Sequence, residues 1–211
     1  MHTVNNWAQA NGLEITEAQM NALTAHKNQV LTVNQYMNLT AITNEEDFAV
    51  KHIIDSLSLL PHISEGAKVI DIGTGAGFPG LVLRIMREDI KLTLLDSLRK
   101  RVNFLRETVD MLGLSNVECT HARAEEWAKK YPQAYDICTA RAVASLDKLA
   151  AYALSLVKKG GIFLAMKGPE VSEELQKAKP ALEKYRGSVE NITIAELTPE
   201  LRHSIITIRK C

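Results

Sequence analysis

Val69-Ile70-Asp71-Ile72-Gly73-Thr74-Gly75-Ala76-Gly77-Phe78-Pro79-Gly80 is the stretch whose reading decides the fold. Val69, Ile70 and Ile72 are apolar β-formers around an acid. Glycine then falls at every second place, and Pro79-Gly80 leads into Leu81-Val82-Leu83-Arg84-Ile85-Met86. The pattern predicts a buried strand, a tight loop and the first turn of a helix. Glycine lets the backbone take positive φ and lets a ligand approach main-chain N–H groups with no Cβ in the way. Pro79 suits a first helical turn, where its missing N–H would have had no partner.

Two ligand classes use such a loop. A dinucleotide sets its pyrophosphate on the helix N-terminus, and Gly75-Ala76-Gly77-Phe78-Pro79-Gly80 satisfies G-x-G-x-x-G. The register argues against it, because the strand already ends at Gly73 and Pro79 interrupts the spacing. A methionine-sulfonium nucleoside has no phosphate and carries positive charge. Asp71, two residues before the first glycine, suits that cation and its ammonium group better than a pyrophosphate. A plain Gly-rich βα turn remains the bland alternative.

The 211 residues suffice for one domain with an appendage. Lys+Arg and Asp+Glu both number 25, so bulk charge carries no nucleic-acid signal. The distribution is uneven. Residues 1–65 hold only Lys27 and Lys51 as basic groups against Glu14, Glu17, Glu45, Glu46, Asp47, Asp55 and Glu65, which leaves the remainder basic and permits a polyanion partner. Cys119, Cys138 and Cys211 show no C-x-x-C and no even pairing, as expected for thiols in a reducing cytosol. No apolar run approaches the ~20 residues of a membrane span. The N-terminus lacks the basic and apolar regions of a signal peptide. A soluble cytoplasmic protein without membrane attachment is the expectation. No His/Cys/Asp grouping has metal-ligand spacing, so no metal is expected.

Up to about Leu60 the periodicity is helical. Thr16-Glu17-Ala18-Gln19 is a cap-like start, Glu45-Glu46-Asp47 charges a second first turn favourably, and Pro61 is expected to stop that helix. Residues 1–65 thus read as a helical cap and 66–211 as the main domain. Beyond Gly66, β-runs end at Ile72, Asp96, Ala122, Arg141 and Lys167, each followed by a helical pattern; Gly160-Gly161 is expected to turn into the fifth run. Asp96 falls about 20 residues after the glycine loop, where nucleotide-binding α/β folds bond ribose hydroxyls. After a charged helix from Pro169 to about Tyr185, runs 188–195 and 203–209 are joined too briefly for a parallel return. The expected fold class is α/β: a mostly parallel, Rossmann-like sheet with a C-terminal antiparallel hairpin and an N-terminal helical cap. A dinucleotide-type dehydrogenase would continue with a sixth parallel strand instead.

That order, with Asp71-x-Gly73-x-Gly75-x-Gly77 and Asp96, resembles the seven-stranded S-adenosylmethionine-dependent methyltransferases. Five stretches narrow the resemblance: Asn38-Leu39-Thr40-Ala41-Ile42, Lys51-His52-Ile53-Ile54-Asp55-Ser56-Leu57, 71–80, Leu94-Leu95-Asp96-Ser97-Leu98-x-Lys100-Arg101, and Ala140-Arg141-Ala142-x-Ala144-Ser145-Leu146. Together they resemble the bacterial glucose-inhibited division protein B family, which methylates guanine N7 in 16S ribosomal RNA, and the likeness covers nearly the whole chain.

The resemblance implies S-adenosylmethionine as co-substrate, the small ribosomal subunit or its 16S RNA as partner, and no stable protein partner. It implies that Gly73, Phe78, Ala124, Glu125 and Arg141 meet the cofactor, with Asp71, Gly75, Gly77 and Asp96 completing the pocket. Arg141 and Arg123 would position the reactants. Arg123, Lys167, Lys100 and Arg101 are candidate RNA contacts, although a solvated charge face explains the basic run 99–101 equally well. His52 reads either as a core histidine or as a substrate contact, and the role of Asn38 stays open. A guanine N7 lone pair carries no proton, so transfer to it needs alignment rather than a base. A methyltransferase for a small molecule or protein, a nicotinamide oxidoreductase and a non-enzymatic RNA-binding module are the rival readings.

Overall fold

The computed structural model describes residues 1–211. Two helices open the chain, α1 (His2–Ala10) and α2 (Glu17–Met37). The start of α2 is a capping box: Thr16 Oγ1 accepts from Gln19 N at 3.2 Å, and Gln19 Oε1 accepts from Thr16 N at 2.9 Å. Asn38 closes the helix in the left-handed conformation (φ 51°), which asparagine tolerates well. Asn44 then caps a continuous helical segment, its Oδ1 accepting from Glu46 N and Asp47 N. That segment comprises α3 (Glu45–Phe48), a π-helical stretch (Ala49–Ile54) and α4 (Asp55–Leu57). Pro61 does not stop it: the helix ends at Leu57, and Pro61 sits inside a following 3-10 turn (Leu60–His62), where its fixed φ is compatible.

Seven strands follow: β1 (Lys68–Ile72), β2 (Lys91–Asp96), β3 (Val117–His121), β4 (Tyr135–Arg141), β5 (Val157–Lys167), β6 (Gly187–Thr198) and β7 (Leu201–Lys210). They form one sheet in the order β3-β2-β1-β4-β5-β7-β6. The first five are parallel, whereas β7 runs antiparallel between β5 and β6. The two-residue link at Pro199-Glu200 dictates that outcome, because it leaves no length for a crossover. No sixth parallel strand of the dehydrogenase kind is formed. Gly160 and Gly161 lie within β5 rather than ahead of it. A Cβ on Gly161 would stand 2.5 Å from the Asp136 carbonyl, so glycine there admits the close approach of β4 beside a register shift.

The helices α5 (Gly80–Met86), α6 (Arg99–Met111), α7 (Ala124–Lys130), α8 (Leu146–Leu156) and α9 (Ser172–Lys184) cover the two faces. On one face the apolar residues of α2, the π-helical segment, α5 and α6 form one continuous core with the sheet, including Leu23, Phe48, Ile53, Leu81 and Phe104. On the other, α7, α8 and α9 cover Ile70, Cys138 and Phe163. The N-terminal helices therefore share their core with the sheet, and they bring polar side chains to the carboxyl ends of the strands. No helix is long and apolar enough to cross a membrane.

Candidate functional site: the carboxyl edge of the sheet

In open α/β sheets ligands bind outside the carboxyl ends of the strands, at the point where strand order reverses. Here that point lies between β1 and β4. The turn after β1 begins at Gly73 (φ +66°), whose N donates to the Leu95 carbonyl at 2.7 Å. A Cβ on Gly73 would stand 2.7 Å from Val143 Cγ2, so this position needs both the backbone freedom and the missing side chain.

A crevice of about 160 Å³ opens beside Gly73. Asp96, Arg123, Ala124 and Glu125 line it, as the sequence led one to expect, together with Val143 and Tyr152, which it did not reveal. Asp96 ends β2 and accepts from Gly75 N at 3.0 Å and from Leu98 N at 2.9 Å, with Arg101 Nη1 at 3.8 Å. An ionised carboxylate has roughly four acceptor positions, so room remains for ligand hydroxyls. Arg123 stands before α7, exposed, with Ala124 and Glu125 in the first turn. The crevice is smaller than the roughly 300–1,000 Å³ of typical ligand sites. Val143, in the loop after β4, covers Gly73.

Asp71, Gly75, Gly77, Phe78 and Arg141, which the resemblance also implied for the cofactor, are not among the residues lining this crevice. Asp71 is 0% exposed; its Oδ2 accepts from Gly80 N at 3.0 Å and its Oδ1 from Thr139 Oγ1 at 2.9 Å. The carboxylate thus braces the loop from beneath instead of facing a cation. Burial pushes its carboxyl up to about 6, although those hydrogen bonds oppose the shift. Phe78 is 3% exposed and turns toward the N-terminal helices, not the crevice. Gly77 (φ +94°) lies under Leu81, where a Cβ would come within 2.5 Å of Cδ1.

The Phe78 ring is clasped by two histidines that sequence reasoning passed over or left open. His26 of α2 stacks on one side (centroids 4.6 Å apart) and His52 of the π-helical stretch on the other (4.7 Å), while Phe48 meets the edge. The Ala76 carbonyl can only accept, so His26 Nε2 carries the proton across 2.8 Å. Arg141 can only donate, so His52 Nδ1 is unprotonated and Nε2–H goes to Thr40 Oγ1 at 2.8 Å. Burial holds His26 down at about 4; burial, then the charge of Arg141, holds His52 at about 3. Both rings are neutral near pH 7. The only sequence signal for His26 was a polar residue on an otherwise apolar helical face.

Arg141, ending β4, reaches across to the cap. Its Nη1 donates to the Lys51 carbonyl (2.8 Å) and Asp55 Oδ2 (3.1 Å), its Nη2 to His52 Nδ1 (2.9 Å), and its guanidinium lies 5.4 Å from the Phe78 centroid. The π-helical stretch that supplies Lys51 and His52, with Asp55 directly after it, is of a kind often found at functional sites.

Lys167 departs from its expected place on an RNA face. Its ammonium is 12% exposed and donates to Glu174 Oε1 at 2.7 Å and the Ala144 carbonyl at 2.8 Å. Glu174 also accepts from Leu146 N, so the pair staples the loop that carries Val143. Lys100 is exposed in the first turn of α6, beside Arg99, with no ion pair; Arg101 leans toward Asp96.

A family model described as GidB, rRNA small subunit methyltransferase G, matches residues 19–204. Ribosomal RNA small subunit methyltransferase G of Alkaliphilus oremlandii is 45% identical over 208 residues, covering 96% of this chain and 87% of the relative. The protein of the same description from Clostridium botulinum is 41% identical over 203 residues, covering 94% and 85%. Among solved structures, TYW2 of M. jannaschii in complex with AdoMet superposes with a TM-score of 0.60 at 14% identity over 76% of each chain. That last likeness is one of fold.

Proposed function

The chain belongs to the GidB family of S-adenosylmethionine-dependent small-subunit ribosomal RNA methyltransferases, and from that premise we propose that it methylates N7 of a guanine in 16S ribosomal RNA by direct displacement, with no general base. The observation that carries the reading is the convergence of Gly73, Asp96 and the Ala124-Glu125 helix start on one crevice at the switch point of the sheet. These residues fit a nucleoside: an acid at the end of β2 for ribose hydroxyls, main-chain groups at Ala124 for an adenine edge, and a glycine where a side chain would intrude.

When bound, S-adenosylmethionine supplies a methyl group on a cationic sulfur. The protein's part is to hold donor and acceptor in line, an effect worth several kcal/mol. Asp96 fixes the ribose end. Arg141 keeps Nε–H and one Nη2–H free of any partner in the chain, and these suit a purine O6 beside N7. The one unprotonated nitrogen of His52, Nδ1, accepts from Arg141 and is thereby taken up, which supports a reaction in which this imidazole removes no proton. Exposed Arg123 and Lys100, with half-buried Arg101, are the proposed phosphate contacts, and Lys167 is not among them.

The test is single-turnover transfer of tritiated methyl to small subunits from cells lacking this activity, followed from pH 7 to pH 9. A rate independent of pH is expected. A tenfold rise per pH unit would mean that a proton must leave first, and no transfer at all would end the reading.

A further inference from the structure

Arg141 is held at one end and open at the other. Nη1 is saturated by the Lys51 carbonyl and Asp55, and Nη2 gives one proton to His52. A guanidinium has five N–H donors, so two remain for something outside the chain. Which way those two point depends on how the held end is fixed. Asp55 is 1% exposed, and its second oxygen, Oδ1, accepts from His203 Nδ1 at 2.9 Å. His203 belongs to β7, far along the chain, and its side chain is 27% exposed.

Burying a carboxylate is costly unless its oxygens are bonded. The neighbouring cap residues Ile53, Ile54 and Leu57 already attach this segment to the core through apolar contact. An apolar residue at position 55 would serve attachment alone. The carboxylate instead spans three parts of the molecule, because one oxygen holds an arginine from β4 and the other is held by a histidine from the C-terminal hairpin.

We propose that Asp55 and His203 are positioning residues for methyl transfer: His203 orients the Asp55 carboxylate, which fixes the rotation of the Arg141 guanidinium so that its two open donors meet the acceptor base. The inference rests on the reading above in which Arg141 faces the reactants. It gives the C-terminal hairpin a part in the site without contact with either substrate.

The experiment compares H203A, H203N, D55N and R141A in the full-length chain, with kcat and KM for transfer to small subunits, cofactor affinity by calorimetry, and melting temperature. H203A is expected to lower kcat about tenfold and D55N up to about a hundredfold, the scale on which misplacement of about 1 Å acts, with cofactor affinity and melting temperature nearly unchanged. H203N, whose side-chain amide can place an N–H where Nδ1 lies, is expected to recover most of the H203A loss. The proposal is overturned by unaltered kcat in H203A and D55N when R141A is inactive, by equal losses in H203A and H203N, or by losses that track cofactor affinity and melting temperature. Full activity in R141A would instead remove the reading of Arg141 on which the proposal stands. Should D55N fail to fold, the two His203 variants decide, since that side chain is partly exposed.

Discussion

Phe78 serves the ligand loop from behind. Its ring fills the space between His26, His52 and Phe48, and its backbone carries the glycine turn. Truncation to alanine leaves a cavity between two rings that then lack a stacking partner. Phe78→Ala is expected to cost about 3–5 kcal/mol in urea unfolding and to weaken cofactor binding through a looser loop. Unchanged stability would remove the ring from the core of this account. The histidines carry a pH signature of definite sign. Above pH 6.5 they are neutral in both folded and unfolded chains and contribute no dependence. Below it the unfolded chain gains protons that the buried rings refuse until about 4 and about 3, so stability falls as the solution is acidified. Asp71 acts oppositely: its carboxyl gains a proton at about 6 when folded against 3.8 as its ordinary value, which favours the folded state as pH drops. Two rings outweigh one acid, and a net loss of about 2 kcal/mol is expected between pH 7.5 and pH 5. Urea midpoints that rise or stay level over that interval would contradict two neutral rings.

Among the elements, the loop between β4 and α8 joins the crevice to the far side of the sheet. Lys167 from β5 and Glu174 from α9 hold its α8 end, and Val143 in it covers Gly73. Lys167→Met leaves Glu174 and the Ala144 carbonyl short of a donor. The expected result is a loss of about 1–3 kcal/mol in stability and weaker cofactor binding, with the salt dependence of RNA binding unchanged. A shallower salt dependence would return Lys167 to the RNA face. Nothing local marked that lysine as structural. A basic residue at a strand's carboxyl end looks the same whether it meets phosphate or, as here, a glutamate contributed by a helix later in the chain. Thr16 was legible because a cap is satisfied within three residues. The hairpin was legible because its link is too short for any other return. The packing of Phe78 was hidden for the same reason as that of Lys167, since its partners come from residues 26 and 52.

Across the whole molecule, an acidic cap and a basic sheet edge together give no net charge, so RNA binding has to depend on where the cations stand. Arg123 lines the crevice, Arg101 leans toward Asp96 in it, and Lys100 precedes Arg101 in the first turn of α6; basic groups in a first helical turn work against the helix dipole, which favours anions there. Arg123→Ala and Lys100→Ala are each expected to flatten the log–log salt dependence of small-subunit binding by about one unit, with cofactor affinity unaltered. Unchanged slopes in both would take those residues off the RNA surface. The sheet, its hairpin, Gly73 and Asp96 could be read from the chain because strand periodicity and glycine spacing are local, whereas Ala124 and Glu125 came only from the family resemblance. The way the cap clasps the glycine loop and Arg141 could not, because every bond in it crosses between distant segments. The most direct test of the account is to map the methyl group: small-subunit RNA modified by the purified protein is reduced with borohydride and cleaved with aniline, which breaks the chain at 7-methylguanosine. Scission at a single guanine of 16S RNA, stoichiometric with the tritium incorporated, is the predicted result; full tritium incorporation without scission would place the methyl on another atom and contradict transfer to N7.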